Sequence, residues 1–83
     1  QHGAGGISDV EIVGPRMVLV LELKLAGGGI TPEGALRQVA QREYTTKHIG
    51  GERDVWAIGA VMGERCRIEW REERVWEGKT GQE

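Results

Sequence analysis

The run Met17-Val18-Leu19-Val20-Leu21-Glu22-Leu23-Lys24-Leu25 constrains this chain more than any other segment. Gly14-Pro15 before it and Gly27-Gly28-Gly29 after it are turn signals, so the run reads as one β-strand. Side chains alternate faces along a strand. Leu19, Leu21 and Leu23 therefore share one face, and Val18, Val20, Glu22 and Lys24 share the other. A charge inside an apolar strand is costly unless it is paired or put to use. Whatever fold forms must supply partners for Glu22 and Lys24.

The segment before it alternates too. Val10 and Ile12 lie on one side and Asp9, Glu11 and Val13 on the other, which predicts a short strand from Ser8 to Val13. The two strands are close enough to form an antiparallel hairpin. Matching their apolar faces requires pairing odd positions with even ones. Val13 against Val18, across a four-residue loop, then sets Asp9 directly opposite Glu22. Sliding to Val13 against Met17 would put Asp9 beside Leu21, and the apolar pattern penalises that slip. Directly opposed positions have Cβ atoms ~4.5–5.5 Å apart, a distance a metal can bridge. The leucine face is expected to be the core face. The apolar cover of the acidic face is expected from the Leu36/Val39 stripe.

That stripe belongs to a predicted helix. Thr31-Pro32-Glu33 supplies an N-cap, a Pro at the first helical position and an acid in the first turn. Leu36, Val39, Ala40 and Tyr44 follow helical spacing. Lys47 and His48 are expected in the last turn and Gly50-Gly51 at its end. Asp54 to Met62 is apolar on both faces, as in a buried central strand. After a turn at Gly63-Glu64-Arg65, Cys66, Ile68 and Trp70 alternate with Arg67, Glu69 and Arg71, the pattern of a one-sided edge strand. From Glu72 the chain is charged and expected to fray, with Val75 and Trp76 able to dock. The order is β-β-α-β-β. It gives one domain over residues 7–76, between a linker at 1–6 and a frayed tail at 77–83.

Composition closes off several classes. At 83 residues there is room for one domain with a small core. The single Cys66 excludes an internal disulfide framework and a Cys-rich zinc site, fits a reducing, cytoplasmic compartment, and is expected to be a small buried residue. No apolar run approaches ~18 residues, so no membrane span is expected. A net charge of −2 provides no global basic footprint for nucleic acid. Gly27–Gly29 lacks the Gly-Lys-Ser/Thr of a phosphate loop and reads as a connector. Trp56 and Trp70 are expected in the core. Arg65, Arg67, Arg71 and Arg74, interleaved with acids, read as a solvated face.

Taken in order, Asp9, Glu22-Leu23-Lys24, Ala35-Leu36-Arg37-Gln38, Tyr44, Ile58-Gly59 and Glu69-Trp70 resemble the PD-(D/E)XK nuclease superfamily. The resemblance runs over residues 7 to 71. It is nearest to the nuclease-like domain at the C-terminus of AAA-ATPase-like bacterial and archaeal proteins. It implies a restriction-endonuclease-like α/β fold, here a truncated core: a mixed β-sheet flanked by a helix. It also implies metal-dependent phosphodiester hydrolysis on DNA, with Asp9, Glu22 and the backbone carbonyl of Leu23 holding Mg²⁺ or Mn²⁺. Lys24 would orient the water or stabilise developing charge, Gln38 would support the site, and Tyr44 would lie near the substrate. Two departures stand out. Gly6-Ile7-Ser8-Asp9 replaces the family's Gly-Arg-x-Asp, and the superfamily's first helix and strand would lie upstream of Gln1. The contrasting reading is a non-catalytic oligomerisation or accessory module serving an ATPase-like domain. A small core and an unpaired strand edge predict self-association, most simply as a dimer.

Overall fold

The computed structural model describes residues 6–42 and 44–79, with the side chains of 6–9 outside the description. Four strands and one helix follow in the order β1 (Gly6–Val13), β2 (Met17–Leu25), α1 (Pro32–Gln41), β3 (Asp54–Met62) and β4 (Ile68–Trp76). The strands form one mixed sheet in sequence order, with β1 antiparallel to β2, β2 parallel to β3 and β3 antiparallel to β4. The molecule is thus a small α/β domain in which α1 makes the crossover between the two parallel strands.

The hairpin takes the register that the apolar faces demand. Val13 pairs with Val18 and Asp9 pairs with Glu22. On the helix side one row reads Glu22, Gly59, Arg71, with position 9 paired to Glu22 in the register, and its neighbour reads Glu11, Val20, Ala57, Glu73.

Helix α1 starts as expected, with the Thr31 hydroxyl accepting from the Gly34 N–H at 3.0 Å and Pro32 at the first position. It ends earlier than its apolar spacing suggests. Arg42 N–H donates to the Gln38 carbonyl and Tyr44 N–H reaches back to the Val39 carbonyl, the closure of a Schellman-type ending. Lys47 and His48 fall instead in a separate 3₁₀ turn, Thr46–His48. The β-branched pair Thr45-Thr46 is a poor helix continuation, and Thr45 is buried beneath it.

The Leu36/Val39 stripe covers the acidic face as expected, and the main departure is that the leucine face is left open. The core consists of Val18, Val20, Val39, Val55 and Ala57, with Leu36, Tyr44, Val75 and Trp76 packed against it. This is the Glu22 face, and α1 lies on it through Leu36 and Val39. The leucine face, expected to be the core, is only part-buried, and nothing among the described residues packs over it. Two further expectations fall with it. Trp70 is 55% exposed on that uncovered face. Cys66 is exposed in a 3₁₀ turn, Glu64–Cys66, where Arg65 and Cys66 both adopt positive φ, so the last strand begins only at Ile68. In compensation β4 runs on to Trp76 rather than fraying at Glu72.

The expected linker and tail lie largely in residues 1–5 and 80–83, outside the described residues. Gly78 N–H donates to Asp54 Oδ1 at 2.6 Å, and Trp76 Nε1 donates to the Gly51 carbonyl at 3.0 Å, fastening the end of β4 beside the start of β3. No helix among the described residues is long and apolar enough to cross a membrane.

Candidate functional site

Two glycine and proline features bring α1 down onto the middle of the sheet. Pro32 is buried at the start of the helix. Gly59, in register with Glu22, lies so close beneath it that a Cβ there would stand 2.2 Å from the Leu36 nitrogen and 2.5 Å from the Pro32 carbonyl oxygen. Only a residue without a side chain admits the helix at this distance. The consequence is burial of the neighbouring Glu22, which is 3% exposed.

A buried carboxylate must be compensated. Lys24, two residues on and on the same face, places Nζ 3.1 Å from Glu22 Oε2 with only 13% of its side chain exposed. Arg42, at the C-cap of α1, places Nη1 3.8 Å from the same oxygen. Arg42 Nη1 also donates to the Tyr44 hydroxyl at 3.2 Å. The guanidinium thus links Glu22 to Tyr44. Both cations approach Oε2. The other oxygen, Oε1, is buried with no hydrogen-bond partner among the described residues, and so is Gln38 Oε1.

Of the residues singled out by sequence, the structure brings Glu22, Lys24, Gln38 and Tyr44 to the helix-covered face. It sets Asp9 opposite Glu22 in the β1–β2 register; the Asp9 side chain is outside the described residues. Leu23 pairs with Ser8 beside the β1 irregularity between Gly6 and Ser8, and with Ala60 on the other side. Any role for it rests on its carbonyl, since its side chain belongs to the leucine face. Arg42 was not anticipated. Its signal is present in the sequence: four residues after Gln38, it shares that residue's helix face.

A second polar cluster lies on β1. His48 Nε2 donates to Glu11 Oε2 at 2.5 Å, and Lys47 Nζ is 3.4 Å from the same oxygen. The His48 hydrogen bond, helped by Lys47, lowers the Glu11 carboxyl below its ordinary pKa of 4.5. Glu11 is two residues from Asp9, so this cluster adjoins the Glu22 row along the same strand. At the far end of that row Arg71 Nε meets Glu33 Oε2 at 2.9 Å, tying β4 to the first turn of α1.

The donor set can be tested against a divalent metal. Among the described residues, no group of three or more His, Cys, Asp or Glu side chains stands close enough together to hold one. The two orphaned buried acceptors, Glu22 Oε1 and Gln38 Oε1, are hard oxygens of the type Mg²⁺ and Mn²⁺ take. By donor type, though not as an assembled group among the described residues, these oxygens suit such an ion.

No family model matches the chain, and neither curated proteins nor solved structures give a match.

Proposed function

We propose that the domain is a metal-dependent DNA endonuclease module of the restriction-endonuclease-like type, centred on Glu22. One observation supports this above the others. Glu22 is buried beside position 9, with one oxygen held by Lys24 and the other without a donor among the described residues. A structural ion pair has no need of an orphaned acceptor, which ordinarily carries a penalty of about 1–3 kcal/mol. A cation site does.

Asp9, Glu22 and the Leu23 carbonyl are the residues assigned to hold Mg²⁺ or Mn²⁺. Such an ion, when bound, neutralises phosphate charge and lowers the pKa of a water. The chain's own groups do the rest. Lys24 is fixed by its 3.1 Å contact to Glu22, so its ammonium is pre-positioned to stabilise negative charge developing at the attacked phosphate. Gln38 supplies a carboxamide from α1, and Arg42 holds the Tyr44 hydroxyl near the rim for contact with substrate. The burial that α1 imposes keeps bulk water away and strengthens each of these interactions.

The uncovered leucine face favours a second reading, a non-catalytic accessory module on the same fold, docked on an ATPase-like domain. Incubating the protein with plasmid DNA and Mg²⁺ or Mn²⁺, beside Asp9→Ala and Glu22→Ala, separates the two. The nuclease reading expects metal-dependent nicking that both variants lose. Nicking that survives in both variants removes the assigned site. Absence of nicking, with no metal-induced rise in melting temperature, leaves the accessory reading.

A further inference from the structure

The sheet face opposite α1 carries Met17, Leu19, Leu21, Leu23 and Leu25 on β2. It carries Val10 and Ile12 on β1, Trp56, Ile58 and Met62 on β3, and Ile68 and Trp70 on β4. Val10, Ile12, Met17, Leu25, Ile68 and Trp70 are each 41–55% exposed. Four strands ~4.8 Å apart and four rows of side chains ~6.7 Å apart span roughly 19 by 27 Å, about 500 Å². That is near the upper end of what a monomer leaves uncovered. Two such faces overlapping over most of this area remove somewhat under about 1,000 Å² from water, at the lower limit for a specific interface.

The charges on this face indicate what covers it. At its centre, one row reads Ile12, Leu19, Trp56, Arg74 and the next reads Val10, Leu21, Ile58, Glu72. The two rows are matched strand by strand, aliphatic or aromatic on the first three strands and ionic on the fourth. The ionic positions carry opposite signs. A twofold axis lying between the rows, perpendicular to the strands, sets each row over the other row of a second copy. Val10 then meets Ile12, Leu21 meets Leu19, and Ile58 meets Trp56. Glu72 of each copy meets Arg74 of the other. Within one chain Arg74 lies over Trp56 at 5.9 Å and 3.8 Å from the exposed Glu77, while Glu72 has no ion-pair partner among the described residues.

From this self-complementarity we infer that the leucine face is a homodimer interface, two sheets stacked face to face with reciprocal Glu72–Arg74 pairs. The expected route to self-association was an unpaired strand edge. The face offers a larger apolar area and its own charge code, and it leaves the Glu22 site of each copy on the outside. The inference stands independently of the nuclease reading.

Sedimentation or light scattering from low to high micromolar concentration tests it, using the intact chain and surface charge variants that leave the core untouched. The expected result is a mass that doubles with concentration. Glu72→Arg and Arg74→Glu should each weaken the dimer at least tenfold, since each variant faces like charges twice. The double variant should dimerise again. Mixing the two single variants should restore a heterodimer, because every pair is then opposite in sign. A monomeric mass throughout overturns the inference and assigns the face to another segment or another protein. A dimer indifferent to all the swaps overturns it too, and places the contact elsewhere, as at a strand edge.

Discussion

Glu22 is the charged residue that the fold buries among the described residues, and its two oxygens have different environments. Oε2 is shared by Lys24 and Arg42, and Oε1 has no hydrogen-bond partner among the described residues. This asymmetry makes the consequences of mutation unequal. Lys24→Met leaves a buried carboxylate with only the 3.8 Å contact to Arg42, and removing one member of a buried pair costs about 3 kcal/mol. Glu22→Gln leaves a lysine whose stem can carry its ammonium to water, so its stability cost should stay within about 1 kcal/mol. Urea denaturation of the two variants checks the order. A larger loss in Glu22→Gln would mean that Lys24 is the group that needs its partner. Glu11 gives the pH counterpart. Its folded pKa is lowered by the His48 hydrogen bond, so its contribution to stability is present above its ordinary value of 4.5 and is lost as pH falls through the lower folded value. The melting temperature of Glu11→Gln should therefore lie below that of the native chain at neutral pH. The gap should close only on acidification below the ordinary carboxylate range. A gap unchanged across that range would show that the His48 and Lys47 contacts do not select the ionised form.

At the scale of elements, the decisive contact is the seating of α1 on Gly59. The atoms that a Cβ would strike belong to the helix backbone, not to a flexible side chain. Gly59→Ala must therefore lift the first turns of α1 away from β3. The cost should be about 3 kcal/mol or more, at the top of the usual range for overpacking. Thermal melts followed by circular dichroism would show it, and a native-like melt would mean the helix seats elsewhere. The same elements show what the sequence could and could not disclose. The β1–β2 register was legible because only odd-with-even pairings keep Val10 and Ile12 beside the leucines, the four-residue loop picks Val13 against Val18, and Asp9 followed to its place opposite Glu22. That the Leu36/Val39 stripe covers the Glu22 face was legible too, but that the leucine face is left open was not, because Val18 and Val20 compete evenly with Leu19 and Leu21, and β3 is apolar on both sides. The choice is made by tertiary contacts, Gly59 and the Val39 stripe, that no single strand reveals. Arg42 is not legible as a helix-end residue because the apolar spacing carries the helix on toward Gly50. Its capping role appears only once α1 is seen to end at Gln41.

For the whole molecule, a sheet covered on one side alone divides the apolar surface into two unequal parts. The helix side buries small side chains, valines and alanines, around one ion pair. The larger leucines and two of the three tryptophans stay on the open side. A fold of this size has little apolar surface to spare, so much of its stability should come from covering the open face. Stability should then depend on concentration, because a dimer that dissociates on unfolding gains about 1.4 kcal/mol for each tenfold rise in protein. For two chains of this length that corresponds to roughly 3–5 °C in melting temperature per tenfold. The native chain should show this slope, Glu72→Arg should show little of it, and an equimolar mixture of Glu72→Arg with Arg74→Glu should recover it. Emission from Trp56 and Trp70 should shift to the blue over the same concentration range, since both lie on the face that becomes buried. A melting temperature independent of concentration would mean that the helix-side core alone carries the fold, and that the leucine face remains exposed at no measurable cost.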